Sequence, residues 1–362
     1  MLKITYEGIP YFHPGVLLKD ILEARYIEQK ELAQRTGFSE KHISYIISGK
    51  SDITPAFAEK IAIALGEDAL TWVNMQTEFD TILEKISLQQ KLQENISVLS
   101  KYPIKDMIKH GLIRSVKDKC QQLREVLSFF GIGKIELLEK YSIDFEAVKY
   151  RKLQQKETKE ATSVLYRWGY NIASSRGNIS NYNRALLEKA VYEIRNNLIM
   201  PFEDLLIFVR TTLENAGVIF VFTPKIAQAP ASGCCYMHKG NPVIHLTYRT
   251  KQLDSFLFSL FHEIKHILDG DIEKYEADDD MEKDANSFAR NIIISDTDWE
   301  DFWFQNPTIT KEIIINFAKT QNIPVACVIG RLQNAGIINY SAKFAELKEP
   351  IVIQEYDNII FE

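Results

Sequence analysis

Phe256-Leu-Phe-Ser-Leu-Phe-His-Glu-Ile-Lys-His-Ile-Leu268 is the stretch on which the reading of this chain turns. Eight of its thirteen residues are large and apolar, so a helix here is hydrophobic nearly all round and belongs in a core. Inside it stand His262, Glu263 and His266. Polar groups buried in this way need partners, because leaving them unmet costs several kcal/mol. Four residues carry a helix through about 400°, so the two histidines share a face about 6 Å apart along the axis. At that spacing two imidazoles reach one zinc ion. Glu263 lies about 100° round, where a carboxylate can act as general base toward an attacking water.

A zinc peptidase site needs a third protein ligand and one open position. Residues 279–294 read as the next helix, with Ala285, Phe288, Ala289, Ile292 and Ile293 as its core face. Glu282 precedes that face by three residues and points the same way, whereas Asp284 lies about 200° from it. Glu282 is therefore the preferred third ligand and Asp284 the alternative. Asn286, one turn on, is placed to hold a ligand histidine by a hydrogen bond.

Upstream of these helices, β-branched and aromatic residues mark strands at 218–222 and 242–248, with a Pro/Ala/Gly/Cys loop between them. The strand Pro242–Tyr248 offers an edge on which a substrate peptide could pair. Tyr248, His245 and His238 are candidates for oxyanion stabilisation, with a structural role as the alternative for each. Cys234 and Cys235 read as small packing residues, with a redox or metal-quenching role as the alternative. Downstream, 310–332 reads as one last helical region.

The first 80 residues read as short helices joined by tight turns. Leu17, Leu18, Ile21 and Leu22 mark one apolar face; Gln29 to Thr36 is a second helix ended by Gly37. Ser39 can cap a third, carrying Ile43, Ile46 and Ile47, and the Thr54-Pro55 pair opens a fourth. Helices near eight residues with a glycine turn between the second and third point to a helix-turn-helix. Its third helix would enter the major groove, with Glu40, Lys41, Ser44 and Tyr45 toward base edges and Ser39, His42 and Lys50 near phosphates. DNA is thus an expected partner, and a homodimer the expected assembly.

Charge qualifies this. The chain of 362 residues carries a net charge of −6. Residues 1–80 hold 8 Lys/Arg and 12 Asp/Glu, and residues 81–160 hold 16 and 11. The helix-turn-helix is therefore acidic, and phosphate contacts require cations. The Lys/Glu/Gln-rich stretch that follows reads as a basic helical spacer. No apolar run approaches the ~18 residues of a membrane span, and no signal peptide is expected at the N-terminus. The four cysteines, none spaced as CxxC, argue against a disulfide framework and for a reducing, cytoplasmic setting.

Two resemblances attach to these residues. Residues 161–345 resemble the ImmA/IrrE family of zinc metallopeptidases, through Asn241-Pro-Val-Ile-His-Leu246, the FHEIKHIL segment, Glu282-Lys-Asp-Ala-Asn-Ser-Phe-Ala289 and Gly330-Arg-Leu-Gln333. The resemblance implies Zn2+ as cofactor, Glu263 as catalytic base, and His262, His266 and the acidic segment at 282 as ligands. Two departures stand out: Asp284 replaces the family's second Glu, and Lys265 stands where the family has Gly. Residues 12–78 resemble Cro-repressor-like helix-turn-helix proteins, especially HigA antitoxins, through His13-Pro-Gly15 and the segments 29–37 and 39–50.

The expected fold is mainly α with a smaller α+β part. It comprises a helix-turn-helix bundle at 1–80, a helical spacer at 81–160, a zincin-like metallopeptidase domain with a small β-sheet at 161–350, and a tail at 351–362. The expected function is a DNA-binding stress-response or toxin–antitoxin regulator whose peptidase cleaves a repressor or antitoxin protein. The alternative is a non-catalytic DNA-binding antitoxin or repressor whose metal domain senses a signal or binds a partner.

Overall fold

The computed structural model of the chain describes residues 2–144, 158–177, 179–229, 233–248, 252–273, 279–339, 344–348 and 350–351. The expected tail from 352 onward, and residues 145–157 of the expected spacer, lie outside the described residues. The chain is mostly helical with two small sheets, and it divides into two units: Met1–Ser97 with Asp118–Arg124, and Val98–Lys117 with Glu125–Glu362.

The first unit opens with strands that the reading of residues 1–80 as helices overlooks. β1 (Lys3–Tyr6) and β2 (Ile9–Phe12) pair antiparallel, from Lys3↔Phe12 to Tyr6↔Ile9. Glu7 and Gly8 at the tip both take positive φ, 51° and 82°, as a two-residue hairpin turn requires. Four short helices follow: α1 (Pro14–Ala24), α2 (Gln29–Thr36), α3 (Glu40–Ile47) and α4 (Pro55–Leu65). Their ends match the sequence signals. Ser39 caps α3 by accepting from His42 N at 3.2 Å, Thr54 caps α4, and Gly37 and Gly66 stop α2 and α4 in the left-handed conformation. Leu18, Leu32, Ile43, Ile46, Phe57 and Ile61 form the shared core.

α5 (Ala69–Glu94) runs for 26 residues, straight through the expected boundary at 80/81. Its buried Gln76 pins the chain after α3, accepting from Ile53 N at 2.9 Å and donating to Asp80 at 2.9 Å. Beyond it lie α6 (Ile104–Lys109), α7 (Lys119–Phe130) and α8 (Leu137–Asp144).

The second unit is built on α9 (Lys159–Ser175), α10 (Arg184–Asn196) and α11 (Phe202–Asn215), then β3 (Ile219–Pro224), β4 (Gly233–His238) and β5 (Asn241–Tyr248). The sheet order is β3-β5-β4, with β3 parallel and β4 antiparallel to β5. Two expectations fail here. The Pro/Ala/Gly/Cys loop contains a strand, β4. And β5, expected to present a free edge, is the central strand, so both of its edges are already paired. Its unbroken burial from Pro242 to Thr247 is what a strand covered on both faces shows.

α12 (Leu253–Leu268) and α13 (Asp279–Ile293) pack against each other, and β4 and β5 lie on α12. α14 (Asp296–Gln305) goes unread in the sequence. The expected helical region at 310–332 consists of two helices, α15 (Lys311–Thr320) and α16 (Val325–Asn334), broken where Pro324 follows Asn322 at positive φ. The Gly330–Gln333 segment on α16 is structural: Arg331 bonds the Ile294 carbonyl and Asp296, and Gln333 accepts from the buried Lys348.

Gly15 shows why His13-Pro-Gly15 opens α1. His13 accepts from Gly15 N at 3.0 Å as the cap, and a Cβ on Gly15 would stand 2.0 Å from the Ile46 carbonyl oxygen. Helix propensity alone favours Gly15→Ala by about 1 kcal/mol, whereas forcing a methyl into packed backbone costs about 1–3 kcal/mol. The expected result is a net loss of stability in the first unit, seen as faster amide hydrogen exchange across α1 and α3. Slower exchange would contradict this close approach.

Candidate functional site

α12 forms where Asp254 favours its N-terminal end and Lys265 and His266 its C-terminal end. It buries Phe256, Leu257, Leu260, Phe261, Ile264 and Ile267. The same packing takes His262 and Glu263 out of solvent, leaving them 4% and 8% exposed. α13, lying alongside, brings Glu282 to the two histidines. His262 Nε2 is 3.1 Å from His266 Nε2 and 3.6 Å from Glu282 Oε2, and His266 Nε2 is 3.5 Å from Glu282 Oε1.

These separations can be tested against an ion. Tetrahedral zinc with bonds of about 2.0–2.1 Å holds its ligand atoms about 3.3 Å apart. The observed 3.1, 3.5 and 3.6 Å bracket that value, and the donors are those zinc takes. Among the described residues this trio is the group of three histidine, cysteine or acidic side chains whose ligand atoms all lie within 4.8 Å of one another. Of the two carboxylates weighed from the sequence, Glu282 joins the cluster and Asp284 is exposed. Lys265 turns away, pairing with Asp269 at 2.7 Å and lying over the Phe288 ring.

One partner was not read from the sequence. His266 Nδ1 lies 3.0 Å from Asp271 Oδ2, in the short 3-10 turn Asp271–Glu273. Asn286, expected to orient a ligand histidine, is half-buried one turn after Glu282, and the bond to the second nitrogen of His266 comes from Asp271. The signal available was a carboxylate just past the glycine that ends α12. Burial alone lowers the His266 pKa. Hydrogen bonds to Glu282 and Asp271, with the charges of Glu263 and Glu282, outweigh it and raise the group to about 9.

The remaining candidates are held elsewhere. His245 Nε2 lies 2.8 Å from Thr223 Oγ1, and the Tyr248 hydroxyl donates to the Ile351 carbonyl. His238 meets the Tyr170 ring edge-on at 4.8 Å. None of the three belongs to the group formed by His262, His266 and Glu282. The four cysteines are free thiols. Cys235 on β4 is held protonated, its pKa raised first by burial and then by the Glu263 carboxylate to which it hydrogen-bonds.

In the first unit, α3 presents Glu40, Lys41, Ser44 and Tyr45 to solvent, and Lys50 is exposed just beyond. Lys41 and Lys50 both lie over the Tyr45 ring, at 5.4 and 5.9 Å. The half-buried His42 ring stacks on Phe38 at 5.0 Å and meets Phe57 edge-on. Packing claims it because α3 needs an apolar flank against α4. Ser39 is occupied by its cap.

The helix-turn-helix family profile matches residues 18–72. The chain is 31% identical to virulence-associated protein I of Dichelobacter nodosus over 91 residues, which is 25% of this chain and 82% of that protein. The chain belongs to this helix-turn-helix family. The membership covers its N-terminal quarter. Two solved structures are also similar over 23% of the chain. An antidote protein of a plasmid maintenance system from Nostoc punctiforme is 28% identical, with 92% of its length covered and a TM-score of 0.23. An addiction module antidote of the HigA family from Coxiella burnetii is 21% identical, with 91% covered and a TM-score of 0.22. In helix-turn-helix proteins generally the second helix of the motif enters the major groove, and α3 holds that position here. No single helix among the described residues is long and apolar enough to cross a membrane.

His245 makes a pH prediction for the second unit. Burial lowers its pKa from 6.5 to about 3, so the folded unit resists a proton that the unfolded chain accepts. The stability this contributes is complete above about pH 6.5 and is lost as pH falls toward 3, at about 1.4 kcal/mol per pH unit. Imidazole NMR should show His245 neutral at pH 4.5. A resonance titrating near 6.5 would contradict its burial beside Thr223.

Proposed function

We propose that this chain is a DNA-binding regulator whose second unit is a zinc-dependent peptidase of the ImmA/IrrE type, acting on a repressor or antitoxin protein. The observation that carries the peptidase reading is the convergence of His262, His266 and Glu282 beside a buried Glu263. The resemblance of residues 161–345 to that family supports it. The helix-turn-helix and its relatives, which include antidote proteins, support the regulatory reading.

A zinc ion bound by His262, His266 and Glu282 supplies a Lewis acid that polarises a peptide carbonyl and acidifies water. The chain's own residues do the rest. Glu263, fixed on α12 next to His262, accepts the proton of the attacking water and returns it to the leaving amine. The apolar face of α12 and the sheet above it exclude bulk water, which strengthens each charge interaction. β5 is enclosed, so β4, whose outer edge pairs with no strand among the described residues and which rests on α12, is the strand on which an extended peptide could lie.

On the DNA side, Lys41 and Lys50 are the cations that flank the exposed face of α3. A dimer would present two such faces to two half-sites.

Three measurements test these readings. The purified full-length chain should carry one zinc, and His262→Ala should lose it. Glu263→Gln should keep the zinc while cleaving candidate repressors and antitoxins, this chain included, at least ~100-fold more slowly. Zinc binding with cleavage equal in both proteins would refute the role of Glu263. Binding with no cleavage of any candidate would favour the non-catalytic, signal-sensing alternative. For DNA, Lys50→Ala should weaken binding about equally across sequences and reduce the salt slope by about one. A sequence-selective loss would instead place Lys50 on base edges.

A further inference from the structure

The turn that follows α12 is built around a carboxylate that nothing in the zinc-ligand pattern requires. α12 ends at Leu268 with Asp269 as its C-cap, and Gly270 at φ 68° reverses the chain. Glycine takes that conformation without strain. The reversal carries Asp271 back beneath the helix, where its side chain is 8% exposed and its Oδ2 is 3.0 Å from His266 Nδ1. A side chain that served only to end the helix would gain more from facing water. This one is withdrawn from solvent onto one nitrogen of one histidine.

We infer that Asp271 is a positioning residue of the metal centre, fixing His266 so that Nε2 alone faces the ion. The inference rests on the zinc reading above. An ionised carboxylate only accepts, so Nδ1 must be the donor in this pair. In the neutral ring the lone pair is then on Nε2, the atom that faces His262 Nε2 and Glu282 Oε1. The carboxylate also orients the ring and makes Nε2 a stronger donor to the ion. When the ring gives up a proton to bind the ion, the Asp271 contact keeps the proton on Nδ1 and frees Nε2. Asp269, two residues earlier, is a built-in comparison: it carries the same charge on the same turn but pairs with Lys265.

Zinc affinity, read by competition with a chromophoric chelator on the full-length chain, tests this. Asp271→Ala should weaken zinc binding about 10–100-fold. Asp271→Asn, which keeps the shape and an acceptor oxygen, should weaken it less and serves as the reporter if the alanine variant does not fold. Asp269→Ala should leave the affinity unchanged. Unchanged affinity in both Asp271 variants would overturn the inference and leave the zinc reading intact, as would an equal loss in Asp269→Ala. A wild-type chain that binds no zinc would overturn both.

Discussion

The second unit is organised by a single constraint, the burial of polar groups on an otherwise apolar helix. α12 must bury its Phe and Leu residues to form a core, and in doing so it takes His262 and Glu263 out of water. Such groups are tolerated only when partnered. The structure meets that demand from three directions. α13 delivers Glu282 to both histidines, the turn after α12 delivers Asp271 to His266, and β4 places the Cys235 thiol on Glu263. The acidic start of α13 thus has two roles. Asp279 and Asp280 suit the helix N-terminus, while Glu282 turns inward.

The first unit solves the opposite problem. Its core is apolar, and its few buried polar side chains, among them His13 and Gln76, are spent on caps and turns, which leaves the exposed face of α3 as its outward polar surface. The close approach of α1 to α3 at Gly15, and the packing of Phe38, His42 and Phe57, hold that helix as a rigid element. What remains exposed is a short face of mixed charge, with Glu40 beside Lys41. Phosphate attraction from so few cations is weak, which leaves recognition by this unit dependent on base contacts, on a second copy, or on basic residues beyond α5. Each unit has its own core.

Much of this was legible in the sequence for identifiable reasons. The i, i+4 histidines, the Glu282 face and the caps at Ser39 and Thr54 follow from helix geometry, which acts over a few residues. β4 was not legible, because Gly233, Cys234 and Cys235 carry little strand signal. Its pairing comes from β5, Leu246 standing opposite Gly233 and Ile244 opposite Cys235. The hairpin at 3–12 was overlooked because the helical pattern after it dominates the reading. The enclosure of β5 depends on β3, which joins it only through the parallel pairing from Ile219 to Pro224. The packing of His42 on Phe38 and Phe57 was not legible, because it depends on how α3 and α4 are brought together.

The sequence by itself determined the helix-turn-helix, the apolar helix bearing His262, Glu263 and His266, and the side of the next helix on which Glu282 stands. Those are consequences of a fixed rotation per residue. Only the tertiary structure decided that Glu282 reaches both histidines, that Asp271 meets His266 Nδ1, and that β4 rather than β5 lies at the sheet's edge. Those depend on how helices and strands distant in sequence, or a chain reversed at Gly270, are brought together, and packing energy summed over the whole core sets that arrangement.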